Sequence, residues 1–128
     1  MKDKLLELLN KSYSPYSNFS VACIVVMNDN KEYTGVNIEN ASYGATICAE
    51  RVAIFKAISD GYRKGDFKEI HIMCNSLKIS SSCFLCRQVF TEFLLPDNKI
   101  ILYNNLGENK EYTVSTLCPL PFNEDDLK

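Results

Sequence analysis

Histidine is almost missing from this 128-residue chain, with His71 its single example, and basic residues are neither abundant nor clustered. Fourteen lysines and arginines stand against sixteen acidic residues, a net charge of −2. A surface that tracks a phosphate backbone needs a concentrated basic stripe, so a nucleic-acid polymer is not the expected partner. Long apolar runs are missing too. The longest, Val21–Met27, falls far short of the roughly 20 residues that cross a bilayer. The leucines of residues 5–9 are interrupted by Glu7 and lack the apolar core and small-residue cleavage site of a signal peptide. These absences predict a cytoplasmic protein with no membrane partner. Low-complexity tracts and solenoid-period repeats are also lacking. With 46% hydrophobic and 23% charged residues, the expectation is one globular domain over residues 1–128.

Cysteine, by contrast, occurs six times, as Cys23, Cys48, Cys74, Cys83, Cys86 and Cys118. In a reducing compartment these read as metal ligands or core residues rather than as a disulfide framework.

Hydrophobic periodicity sets the order of elements. Leu5, Leu6, Leu8 and Leu9 fall on one broad helical face that ends before Pro15. Val21–Met27 is β-branched and apolar and reads as a central strand; Asn28-Asp29-Asn30 turns the chain, and residues 32–36 return as a hairpin. A polar stretch precedes a helix predicted over 47–59, closing near Gly61. Residues 69–74 read as a strand, Ser80-Ser81-Ser82 offer capping hydroxyls, and 83–94 read as a helix stopped before Pro96. Strands are predicted at 99–103 and 111–115. The short connection between them leaves no room for a helical crossover, so they should be antiparallel neighbours. The sum is an α/β fold with a mixed sheet of about five strands, and the tail from 117 onward should lie on the surface or on a neighbouring subunit.

Chemistry concentrates at two predicted helix starts, Cys48-Ala49-Glu50 and Cys83-Phe84-Leu85-Cys86. Unpaired N–H groups and the partial positive charge at a helix N-terminus favour thiolate over thiol. Zn²⁺ is the borderline-soft ion that such ligands select, and three protein ligands leave its fourth tetrahedral position for water, as in catalytic sites. Glu50 lies within one turn of that position, where a carboxylate can accept and return a proton.

These strings, together with Asn37-Ile38-Glu39-Asn40-Ala41-Ser42-Tyr43-Gly44 and Cys86-Arg87-Gln88, closely resemble the small three-cysteine cytidine deaminases. The resemblance runs from Tyr13 almost to Phe122. It implies a three-layer α/β/α fold and hydrolysis of free cytidine and deoxycytidine to the uridines plus ammonia, a pyrimidine-salvage reaction. By position, Cys48, Cys83 and Cys86 would hold one Zn²⁺ and Glu50 would shuttle protons. Asn37 and Glu39 would bind the ribose hydroxyls, Phe19 would line the base pocket, and the Ala49 backbone and the Ser81 region would hold the base edge. Arg51, with Gln88 in support, would donate hydrogen bonds to the ligand sulfurs. The family is homotetrameric, which implies that Ala41, Tyr43 and Phe122 reach the sites of neighbouring subunits. The chain departs from the family pattern in having Ser82 for the usual proline, Phe84 for the usual glycine, and Ala22-Cys23 for a glycine-alanine pair. Phe84 must therefore find room for a bulky ring.

Rival readings are weaker. A redox Cys-x-x-Cys pair needs no Cys48-Ala49-Glu50, and a structural zinc site lacks a fourth ligand. Polynucleotide deaminases usually place histidine at the first ligand position, here Cys48. A deaminase of a cytosine nucleoside analogue is the nearer alternative, against which the Asn37 and Glu39 pair argues. Cys23, Cys74, Cys118 and His71 read as packing residues, and Phe90, Phe93 and Leu94 as core or interface.

Overall fold

Alternation along Val21–Met27 (β1) divides the molecule into its layers. Successive side chains of a strand point to opposite faces. Cys23, Val25 and Met27 accordingly enter one apolar cluster, while Ala22, Ile24 and Val26 enter another. The computed structural model describes all 128 residues. It adds Glu32–Val36 (β2), Phe67–Cys74 (β3), Lys99–Tyr103 (β4) and Asn109–Thr113 (β5) in one sheet of order β2-β1-β3-β4-β5. Only β3 and β4 run parallel; the other three pairings are antiparallel, including β4 with β5 as the short connection predicts.

Lys2–Leu9 (α1) covers one face, burying Leu5 against Ala22, Ile24, Met73 and Ile101. Ala49–Ser59 (α2) and Phe84–Phe93 (α3) cover the other through Ala53, Ile54, Cys86 and Phe90. This is the expected α/β/α arrangement with a mixed five-stranded sheet. His71 sits on the α1 side as a satisfied core group: Nε2 is 2.6 Å from Glu69 Oε2 and Nδ1 is 2.8 Å from the Tyr103 hydroxyl.

The structure differs from the sequence reading at several element ends, three of which have a clear cause. The helix predicted from residue 47 starts at Ala49, because Ile47 exchanges backbone hydrogen bonds of 3.0 Å with Ile38 in an extended bridge. The last strand ends at Thr113, and Val114–Leu117 (α4) is a helical turn: Thr113 Oγ1 accepts from the Thr116 N–H, a side-chain N-cap. Ser80, Ser81 and Ser82 do not cap α3, whose N-cap is Cys83 with no side-chain cap.

One glycine sets the distance between α2 and the sheet. A Cβ on Gly35 in β2 would lie 2.3 Å from the Ala49 carbonyl and 2.7 Å from the Ala53 nitrogen. Only a residue without a side chain lets the start of α2 pack this closely.

Candidate active site

The N-termini of α2 and α3 converge above the edge where Val21 of β1 pairs with Cys74 of β3. Cys48 is the N-cap of α2, Cys83 the N-cap of α3, and Cys86 lies one turn into α3. Their sulfurs all fall within 4.8 Å of one another, and Cys48 and Cys83 Sγ are 3.6 Å apart. Sulfurs about 2.3 Å from a tetrahedral zinc are separated by about 3.8 Å, so the set has the size of a zinc triad.

The surrounding charges fit the same ion. Cys48 is held well below the usual thiol range, first by hydrogen bonding from the neighbouring Cys86 thiol and then by Arg51. Arg51 Nη2 donates to Cys48 Sγ at 3.5 Å. Its Nε is buried without a partner, a donor suited to the net −1 of three thiolates around one divalent cation. Cys86 is pushed above the usual thiol range by the same pairing with Cys48 and by burial, so metal binding must displace its proton.

Glu50 is 4% exposed. Burial lifts its carboxyl above the ordinary glutamate range, and the Cys48 charge pushes the same way. A carboxyl poised to hold a proton is what a proton shuttle requires.

The thiols open into a cavity of about 190 Å³ lined by Phe19, Asn37, Ala49, Glu50, Ser81 and Cys83 among others. Phe19, Asn37, Ala49 and Ser81 thus line the same cavity as Cys48, Cys83 and Glu50. Sequence reasoning missed Thr46, Ile47, Ile72, Cys74 and Ser80 on the same wall. The period-2 pattern of β3 was the available signal for Ile72 and Cys74, which share one face of that strand. Asn18, at φ 57°, makes the left-handed turn that precedes Phe19, and Asn75 Nδ2 donates to its carbonyl at 3.0 Å. Asparagine tolerates that backbone region better than most residues.

Asn37 is largely committed to the fold. Its Oδ1 accepts from the Val21 N–H at 2.9 Å and from Ser12 Oγ, and its Nδ2 donates to the Phe19 carbonyl at 2.7 Å. Glu39 lines an adjoining open hollow of about 460 Å³ with Tyr16, Tyr43 and Thr46; Thr46 belongs to both spaces. The Glu39 carboxylate accepts from Ser17 Oγ and from the N–H groups of Tyr16 and Ser17 at 3.0 and 3.2 Å. These bonds, the Ser17 hydroxyl foremost, hold its pKa below the ordinary value.

Four predicted residues stand apart from the thiols. Tyr43 is 81% exposed, and Ala41 and Phe122 are also exposed. Gln88 does not reach a sulfur: its Nε2 donates to the Phe122 carbonyl at 2.7 Å, so it ties down the C-terminal segment. A glutamine two residues beyond Cys86 on α3 points away from the metal edge. Phe84 finds its room outside, 78% exposed with Arg87 4.6 Å over its ring. A further cavity of about 260 Å³ lies beneath the C-terminal segment near Thr91, Pro96 and Cys118, away from the triad.

Residues 1–103 match the family model for the cytidine and deoxycytidylate deaminase zinc-binding region. The chain belongs to the cytidine and deoxycytidylate deaminase family. It is 43% identical over 116 residues to a cytidine deaminase of Halalkalibacterium halodurans, covering 91% of this chain and 86% of that one. It is 41% identical over 117 residues to a cytidine deaminase of Sporosarcina psychrophila, covering 91% and 85%. Among solved structures, the cytidine deaminase of Burkholderia pseudomallei superposes with a TM-score of 0.87 at 38% identity, covering 95% of this chain and 99% of that one. The three thiols of this deaminase therefore form its zinc-binding region. No helix is long and apolar enough to cross a membrane.

Proposed function

We propose that this chain is a zinc-dependent hydrolase of the amino group of free cytidine and deoxycytidine, with residues 1–128 forming one catalytic unit. The observation that carries the reading is the buried Glu50 carboxyl beside a triad of thiols of zinc dimensions, in the lining of a partly open cavity. Cys48, Cys83 and Cys86 would hold the zinc, which when bound would supply Lewis acidity and lower the pKa of water from about 15.7 toward about 7. Glu50 takes one proton from the attacking water and delivers it to the ring nitrogen beside the reacting carbon; it then takes the second proton from the hydroxyl now on that carbon and passes it to the amino group, which leaves as ammonia as the carbon becomes a carbonyl. Arg51 balances the surplus negative charge of the thiolates.

The cavity of about 190 Å³ is small for a whole drug-sized ligand, which typically needs at least about 300 Å³. The base fills it, against Phe19 and the Ala49 backbone, and the sugar extends past Thr46 into the hollow at Glu39. Glu39, ionised and already oriented by Ser17, accepts from a sugar hydroxyl. Asn37 has one amide hydrogen left for the sugar and otherwise fixes Phe19. Exposed Tyr43, Leu120 and Phe122 suit burial against other copies, which supports a homotetramer whose subunits complete one another's sites. The acidic balance and the small base pocket support a free nucleoside in the cytoplasm rather than a polymer.

A substrate panel tests the reading. Reduced, zinc-replete protein is expected to convert the absorbance of cytidine and deoxycytidine to that of the uridines, while cytosines in a single-stranded oligonucleotide persist. Unchanged cytidine, or conversion of the oligonucleotide alone, refutes it.

A further inference from the structure

Between Lys78 and Cys83 the chain runs along the cavity with no backbone-to-backbone hydrogen bond of its own. Ser80 and Ser81 of this segment line the cavity, and Ser82 is 6% exposed with its hydroxyl beside the Glu50 carboxyl. An irregular stretch so placed needs its polar groups held from elsewhere. Both hydrogen bonds that it receives come from one side chain: Arg87 Nε donates to the Ser82 carbonyl at 2.9 Å, and Nη2 donates to Ser81 Oγ at 2.7 Å. The third arm, Nη1, donates to the Leu117 carbonyl of α4 at 2.9 Å, and the face of the guanidinium covers Phe84. A planar fork with donors on three sides can hold these groups together; a lysine ammonium offers one point of charge and no plane.

We propose that Arg87 is a positioning residue for the deamination: it clamps the segment that walls the pocket through Ser80 and Ser81 to α3 and α4, and so sets the affinity for the nucleoside without touching it. The proposal rests on the function proposed above. Loss of the clamp frees the wall but leaves Cys48, Cys83, Cys86 and Glu50 on their helices, so binding should suffer more than metal loading or the chemical step.

The test uses full-length, reduced, zinc-replete Arg87→Lys and Arg87→Met, with KM, kcat, zinc per chain and Tm measured on each. The expected result is a rise in KM for cytidine of about tenfold in both variants, equivalent to about 1.4 kcal/mol, with zinc content retained and kcat much less affected. Rescue of KM by lysine, or a wild-type KM accompanied by a lowered Tm, overturns the proposal, the latter because it leaves Arg87 a purely structural role. Should both variants fail to fold, Ser81→Ala decides through amide exchange of the ligand-free protein, since it removes one anchor: faster exchange in residues 79–82 with zinc retained supports the clamp and unchanged exchange overturns it. An inactive wild-type protein would condemn the proposed function instead. Amide exchange in residues 79–82 then tests the clamp alone, with faster exchange in Arg87→Met supporting it and equal exchange overturning it.

Discussion

Replacing Glu50 with glutamine separates the chemistry from the fold. The substitution keeps the shape of a side chain that is 4% exposed and removes its ability to carry a proton. Proton transfer by a positioned side chain contributes about 10²- to 10⁴-fold to rate, or about 2.7–5.5 kcal/mol of barrier. Glu50 is asked to carry two protons in one turnover, one to the ring nitrogen and one to the leaving amino group, so the upper end applies, with kcat falling by about 10⁴. Stability should move the other way. The Glu50 pKa is raised in the folded protein, chiefly by burial, so its contribution is favourable below the unfolded value near 4.3 and is lost as pH rises through the folded value. At pH 7 in metal-stripped, reduced protein the carboxylate is a burden. Glu50→Gln should therefore be at least as stable as wild type there, and it should still bind zinc. Stopped-time absorbance assays on cytidine, with metal analysis and urea unfolding of the same preparations, check all three. A loss in kcat smaller than tenfold, or a variant that no longer loads zinc, refutes the reasoning.

Other expectations follow from the packing. Gly35→Ala would put a methyl group 2.3 Å from the Ala49 carbonyl, and overpacking of this kind typically costs about 1–3 kcal/mol. Urea unfolding should show that loss together with weaker zinc retention, because Ala49 lies between Cys48 and Glu50; an unchanged midpoint would disprove the close approach. The His71 pKa is lowered by burial, with Glu69 pulling it partly back. Its contribution to stability is thus full above the unfolded value near 6.5 and lost as pH falls through the lowered folded value. His71→Gln should flatten the dependence of unfolding midpoints on pH between 8 and 5, and an equally steep slope would count against the assignment. Cys86→Ser, which breaks the triad at its fully buried member, should lose zinc and turnover together; a metal-loaded, active variant would remove Cys86 from the ligand set.

What could be read from the sequence was whatever depends on short-range pattern. The β-branched run of β1, the helical spacing of Leu5 with Leu9, and the paired cysteines at two helix starts each carry their meaning locally, and the structure brings the three thiols together. Where the reading slipped, a partner distant in sequence decided the outcome. Ile47 has helical company on its C-terminal side, but Ile38 captures its backbone in an extended bridge. Val114 continues a strand-like pattern until the Thr113 hydroxyl caps a turn and the carbonyls of Asn98 and Pro96 take the N–H groups of Val114 and Ser115. Gln88 lies near Cys86 in sequence, yet the direction of its side chain is set by the C-terminal segment. A glycine in a strand signals a close approach; which backbone approaches Gly35 became visible only with α2 in place.

In this mechanism Cys48, Cys83 and Cys86 jointly hold one catalytic metal ion. X-ray absorption at the zinc edge of reduced wild-type protein, with metal stoichiometry on the same sample, tests it most directly. The prediction is one zinc per chain, with three sulfurs near about 2.3 Å and one lighter oxygen or nitrogen neighbour. A shell of four sulfurs, or protein purified zinc-replete that carries no zinc, would contradict it.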